Sequence, residues 1–564
     1  SMTIRKASLK TSVSDSPVAQ NVVRGVNGYL FSKIQYDATA SGEDLRVTSQ
    51  DIQIVTSASA DADVLNTCQM FDGTTALNTG GNVVNPSGNA ANDDVEGVFT
   101  FDNNLIIPKG TVKLVDVKCN IGQDATADAT WSMGLVAASD TVVVGKDTGI
   151  SVTEVATVSN GQIMTVRASG SFTVALDSAS PSERFGIAGK ADVGATIFKL
   201  SAVYEAVKLT KFGFSLASST ASTSDVVKVS FWDGATKVGE AVFTSGNFRA
   251  TTTLTSDFII PKDGDKVLST TVDLISASSL GQVTTTGGDS GHLVVINWDG
   301  AALVTTEGIG QSSGSTLNTS GTDLANVKGI RVVKSYPTLE RLAVPTNTLA
   351  NGDMDLYRFK VTAPADGGIG LYRVTFRVSS TTVATTSSFR LFAYTDSGFS
   401  GQAYSTNPVN SQSVSCVNGW SLERVTTSDC NAFLNKAATS SHVIMFFDPV
   451  TNTQATPNAE AIQVPAGQSR YFKFVANITR STTGDSFSAA LVGDASFFPT
   501  LTTFGGSGIP RDSLSLASLV ASSSFFVWSP NTTTTSATTT NDWLNGYLLP
   551  GLPTTEMSQQ TFSK

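Results

Sequence analysis

A proline-marked strand junction occurs three times in this chain, and that recurrence constrains the fold more than any other feature. "LIIPKG" (105–110) returns as "FIIPKDG" (258–264) and, more loosely, as "IQVPAG" (462–467). An apolar-alternating segment follows each copy: "VKLVDVKCNI" (112–121), "DKVLSTTVDL" (265–274) and "SRYFKFVANI" (469–478). Proline cannot donate to a β-ladder, so it belongs at a strand start or an edge. Each copy therefore reads as strand, turn, strand.

Upstream elements repeat in step. "FSKIQYDA" (31–38), "FKLSAVYE" (198–205) and "RFKVTAPA" (358–365) align on Lys33, Lys199 and Lys360. "DIQI" (51–54), "KFGFSL" (211–216) and "YRVTFRV" (372–378) follow. A period of about 160 residues is too long for a solenoid repeat and suits an elaborated β-sandwich. Sustained helical periodicity is absent, while period-2 alternation broken by Gly, Asn, Asp and Pro runs throughout. The expected fold class is all-β: three tandem immunoglobulin-like sandwiches over 1–168, 169–333 and 334–500. The closing strands are "QIMTVRA" (162–168) and "KGIRVV" (328–333). Residues 501–564 are expected to form an extended C-terminal docking tail.

Composition agrees. Charged residues are only 15 % of the 564 residues, and hydrophobic residues 40 %. Net charge is −10 with a sequence pI near 4.8 and no basic stripe, which argues against a nucleic-acid partner. No apolar run is long enough to span a bilayer as a helix. The opening "SMTIRKASLK" carries no signal-peptide pattern, as in a cytosolic chain or a mature secreted one. The four cysteines form no C-x-x-C. Two local disulfides are favoured, Cys68–Cys119 and Cys416–Cys430, the latter closing an insertion "SCVNGWSLERVTTSDC" (415–430) in the third copy; four buried free thiols are the alternative.

Two stretches mimic nucleophile motifs. Gly288-Asp289-Ser290-Gly291 resembles the segment around a trypsin-like serine, but only His292 and His442 are available, and neither precedes Ser290 as that order requires. The repeat supplies a plainer reading. Asp128 and Asp485 each lie 20 residues after their proline, Pro108 and Pro465, and Asp289 holds the same place before the next strand. Gly310-Gln311-Ser312-Ser313-Gly314 lacks the strand before and helix after that a nucleophile elbow needs. No catalytic residue is assigned and no enzyme is expected. A secreted glycoside hydrolase is a remote alternative, since 47 acids leave any carboxylate pair arbitrary.

Calcium is the one cofactor for which candidates exist: loop acids Asp61, Asp63, Asp93, Asp94, Asp263, Asp265, Asp289, Asp353, Asp355 and Asp485. Solvated loop acids are the plainer reading, because no D-x-D-x-D-G loop is present. Trp131, Trp232 and Trp298 fall inside strand patterns and are expected in the core. Trp420, in the insertion, is the candidate for a sugar-stacking aromatic.

The Thr-rich spacer "NTTTTSATTT" (531–540) separates two aromatic-apolar clusters containing Phe526, Trp528, Trp543, Tyr547 and Leu548. Such clusters should dock on a domain or on a neighbouring molecule. Val527-Trp528-Ser529, Asp542-Trp543, Asn545-Gly546-Tyr547 and Gly551-Leu552-Pro553 resemble the C-terminal ends of large Ser/Thr-rich surface proteins of candidate-phyla-radiation bacteria (Patescibacteria), many of them similar to surface-layer (S-layer) proteins. That resemblance covers about 30 residues and implies an extracellular, cell-surface location. The expected function is structural self-assembly, with other copies of the chain as partners, the tail docking into a neighbour, and cell-envelope glycan as a further partner. The alternative is a glycan-binding surface adhesin.

Overall fold

A computed structural model describes residues 5–57, 60–88, 94–135, 141–217, 220–281, 290–380, 385–404, 408–409, 415–418, 441–447, 462–479, 483–497, 525–532 and 542–564. The chain is all-β, as the alternation predicts. Among the described residues the only helical turns are the short 3-10 segments Ala62–Val64, Gly80–Asn82 and Thr223–Asp225. None of these is long and apolar enough to cross a membrane.

The same four-strand pattern appears in each unit. The strand after the proline pairs antiparallel with the lysine-bearing strand: Val112–Ile121 with Tyr29–Asp37, Asp265–Leu274 with Val193–Val203, and Ser469–Thr479 with Gly352–Thr362. The strand before the proline pairs with a different partner. Val95–Ile107 joins Leu45–Thr56, Arg249–Ile260 joins Val207–Leu216, and Ile462–Val464 joins Ile369–Ser380. The proline turn thus carries the chain from one sheet to the other. Those partner strands also receive Thr130–Gly134, Ile296–Trp298 and Ser486–Leu491, the strands that follow the shared aspartate position.

The turns share one chemistry. The amides of Thr111, Gly264 and Gln468 bond the carbonyls of Pro108, Pro261 and Pro465 at 3.2, 3.2 and 3.0 Å. The left-handed position is Gly110 in the first turn and Gly467 in the third, but Asp263 in the second (φ 77°, 69° and 51°). Aspartate tolerates that conformation better than most residues.

Each unit closes over a separate core. In the first, Phe31, Ile34 and Tyr36 from one sheet meet Ile52, Ile54, Phe99 and Trp131 from the other. Alternate residues of each strand point inward, as a pleated strand dictates. Cys68 and Cys119 join by a disulfide within this core. The second core is aromatic: Phe212 lies 4.9 Å from Phe198 and 5.8 Å from Phe231, centroid to centroid. Trp131 and Trp298 are buried and Trp232 half-buried.

The third unit departs from the sequence expectation. The described residues from 525 onward do not form a tail apart from it. Val527–Ser529 pairs with Ile369–Ser380, and Gln560–Ser563 pairs with Ser486–Leu491. Phe526, Trp528, Leu544, Leu549, Leu552, Met557 and Phe562 are buried members of the third core. The segment docks in its own chain, because the third sheet exposes an edge at Gly370–Arg373 that these apolar residues cover.

Candidate functional site

Among the described residues, sequence and structure converge on a specialised arrangement at the C-terminal segment. Val527, Trp528 and Ser529 lie opposite Arg373, Leu371 and Gly370, with Leu544 and Asn545 on the far side of the same strand. The Trp528 indole nitrogen donates to the carbonyl of Asn545 at 2.8 Å, so the one polar atom of a fully buried ring is satisfied.

Two buried carboxylates hold the segment. Asp494 accepts the amides of Phe525 (2.7 Å), Phe526 (3.2 Å) and Gly546 (2.7 Å). Asp542 accepts the amide and hydroxyl of Thr532, both at 2.7 Å, and the hydroxyl of Ser529 at 3.1 Å. Asp542 therefore closes the Thr-rich spacer at its two ends. Burial lifts the Asp494 carboxyl to about 7, against the opposing pull of its three amide donors and of Arg373. Burial also draws fully buried Arg373 down to about 10, although Asp494 favours its charge. Desolvation outweighs the mutual attraction for both groups.

The same segment touches the second unit. Phe185, from Arg184–Ile187, packs in the third core beside Tyr336 and Trp528, with centroids 5.5 and 5.7 Å away. The Arg331 guanidinium lies 3.5 Å over the Phe497 ring, and its Nε donates to Glu183 at 2.6 Å. Lys190 pairs with Asp366 at 2.7 Å, and Lys334, the first residue of the third unit, donates to the carbonyl of Asn531 at 2.8 Å. Further along, Glu556 forks onto Arg377. The joint between the second and third units is thus built partly from the chain's last 40 residues.

The residues singled out from sequence fall as follows. Phe526, Trp528 and Trp543 are buried, and Tyr547 and Leu548 are half-buried, Leu548 with a left-handed φ of 67°. Trp543 packs 5.4 Å from Tyr372. Phe526 and Trp528 belong to the chain's own third core, and Leu548 packs against it. Cys416 lies in Ser415–Asn418, but Cys430 and Trp420 lie outside the described residues, as do Asp93 and Asp289.

The remaining calcium candidates are dispersed, and most have other work. Asp263 accepts the Tyr204 amide, Asp265 pairs with Lys199 at 2.6 Å, Asp353 with Arg390 at 2.6 Å, and Asp355 with Arg358. The Asp61 carbonyl accepts the Trp131 indole, and the Asp63 amide bonds Gly88. Asp94 is exposed and Asp485 buried. Among the described residues no three acid, His or Cys side chains come together as a metal-holding group.

Ser290 is buried, and His292 faces buried Asp225 at 3.1 Å from its Nδ1. The Gly310–Gly314 turn wraps buried Glu205, which accepts the amides of Ser312 and Ser313 at 2.9 and 2.8 Å. Sequence reasoning missed Asp494, Asp542, Phe185 and Arg331. Only Asp542 carried a signal, as part of the Asp-Trp pair in the terminal motif.

No protein-family model matches the chain, and no curated protein matches it. Among solved structures it is similar to CaCohA2 from Clostridium acetobutylicum, with 14% identity over 29% of this chain and 92% of that one and a TM-score of 0.17. It is also similar to the C-terminal domain of the AgI/II polypeptide BspA of Streptococcus agalactiae (10% identity, 57% and 95% coverage, TM-score 0.16). A third is a protein of Corynebacterium diphtheriae described as membrane anchored (8% identity, 86% of each chain, TM-score 0.17). Likeness at this level carries no argument about what the chain does.

Proposed function

We propose that this chain is a structural protein of the bacterial cell surface that self-assembles in the manner of a surface layer, and that it is not an enzyme. The supporting observation is the joint at the C-terminal segment. A segment that completes the third core also packs Trp528 on Phe185 and sets Leu544 beside Gly291 of the second unit, whose Arg331 lies over Phe497. Such a connection transmits force between units and resists hinge motion, which suits a load-bearing scaffold. The disulfide Cys68–Cys119 fits an oxidising compartment, and the terminal motif resembles surface proteins of the same description. With the segment seated in its own chain, assembly uses other surfaces.

Electron microscopy of the purified protein at increasing concentration, with calcium and with chelator, tests this reading. Ordered sheets or filaments are expected. Single particles under every condition would overturn it.

A further inference from the structure

The first sandwich leaves one rim open in an unusual way. Ser151–Val152 is the terminal strand of one sheet and Glu154–Thr157 the terminal strand of the other. They are one residue apart in sequence, so a single seven-residue stretch, 151–157, edges both sheets. Ser151–Val152 pairs only with Thr141–Gly145, and Glu154–Thr157 only with Leu9–Val13. No further strand among the described residues covers this rim.

Ile150 (67 %), Val155 (62 %) and Val158 (58 %) are exposed along it, as is Val142 (54 %) on the neighbouring strand Thr141–Gly145. Natural sheet edges are normally blunted with lysine, proline or an inward charge. From Thr148 to Ile163 the one charged residue is Glu154, and it is turned inward. Its carboxylate accepts the Thr11 hydroxyl and the Thr141 amide, both at 2.7 Å. The remaining run, rich in Val and Thr, has high strand propensity.

We propose that this rim is a contact between two copies of the chain, Glu154–Thr157 of each lying alongside its counterpart about a two-fold axis. Charge selects the occupant. A chain of net charge −10 repels its own copies over most of its surface. The exposed residues of 150–158 carry no charge, so setting them against their copies opposes no exposed like charges, and a two-fold contact is self-complementary by construction. Seven extended residues span about 23 Å, so the interface is small and the pairing weak and reversible. The inference rests on the reading of the chain as self-assembling and names one contact of that assembly.

Analytical ultracentrifugation of the full chain, across a concentration series, reads the contact directly. A reversible dimer is expected. Val155→Lys with Val158→Lys should raise the concentration at its midpoint at least tenfold, because two-fold pairing sets the new lysines near each other. Leu303→Lys, an equally exposed apolar residue of the second unit, should leave the midpoint unchanged. Matching thermal melts establish that the variants fold. Hydrogen exchange on the unaltered chain gives a second reading: the amides of 155–158 should gain protection on dimerisation. A chain monomeric at all concentrations, a dimer insensitive to the double substitution, equal sensitivity to Leu303→Lys, or unchanged exchange at 155–158 would each overturn the proposal. A rim dimer that never builds arrays would uphold this contact and reject the surface-layer reading.

Discussion

The indole of Trp528 stands edge-on to the ring of Phe185, with centroids 5.7 Å apart and planes at 86°. One residue belongs to the C-terminal segment and the other to a strand of the second unit, so this contact ties the chain's end to its middle. Edge-to-face pairs add about 0.5–1.5 kcal/mol beyond burial. Trp528→Ala is expected to destabilise the third unit by about 3–5 kcal/mol. Phe185→Ala should cost less, and the double mutant should show coupling of about 0.5–1.5 kcal/mol. Denaturant unfolding of the four chains in the cycle checks this; strict additivity would show that the two rings act independently.

Deleting 525–564 removes seven buried side chains from the third core, Trp528 and Phe562 among them. The first two units have their own cores and lose no core residue. The truncated chain is expected to lose the third unit's unfolding transition and retain the others. Calorimetry decides it: a complete set of transitions would show that the segment is an appendage after all.

The strands and their repetition were legible in the sequence because they follow local rules. Period-2 alternation and three prolines at matching places were enough to align "LIIPKG" with "FIIPKDG" and "DIQI" with "KFGFSL" as equivalent elements. The apolar character of Phe526, Trp528 and Trp543 was equally visible, and so was their need for a partner. The partner was not visible. Whether an apolar strand docks on its own chain or another's depends on an edge at Gly370–Arg373, more than 150 residues earlier, and no spacing rule links the two. Asp494 was silent for a related reason. Its ligands are backbone amides at 525, 526 and 546, which any sequence supplies.

Asp494 should give the third unit a distinctive pH response. Its carboxyl rises from 3.8 to about 7 on folding, with burial the main cause. Between about pH 4 and pH 7 the folded chain therefore binds more protons at this site than the unfolded chain. The contribution is fully present below about pH 4 and is lost as pH rises through 7. Asp494→Asn removes that component. The stability difference between the original chain and the variant should shrink by a few kcal/mol from pH 4 to pH 8. A difference that stays constant over that range would show that Asp494 is ionised throughout.

The Cys68–Cys119 bridge closes a loop with a sequence separation of 51. In the chain-entropy account a closed loop of that length contributes roughly 4 kcal/mol. Cys68→Ser with Cys119→Ser should lower the first unit's transition and leave the second and third in place, since both cysteines lie in the first core alone. Thermal unfolding of the double variant, compared with the intact chain under oxidising conditions, checks the expectation.

Gly291 offers the sharpest test of the joint. Its φ is +86°, and a Cβ placed there would come 3.2 Å from both Leu544 and Phe497. The Gly291 carbonyl also accepts from Arg331 at 3.2 Å, the residue whose guanidinium lies over Phe497. Gly291→Ala therefore adds left-handed backbone strain of about 1–3 kcal/mol and presses on both apolar residues where the units meet. Arg331→Lys keeps the charge but loses the planar stack and the fork that also reaches Glu183. Both variants should speed amide exchange at 544–546, with exchange in the first unit unchanged. Unaltered exchange at 544–546 in both would mean that the second unit does not brace the C-terminal segment, and the load-bearing joint would lose its structural basis.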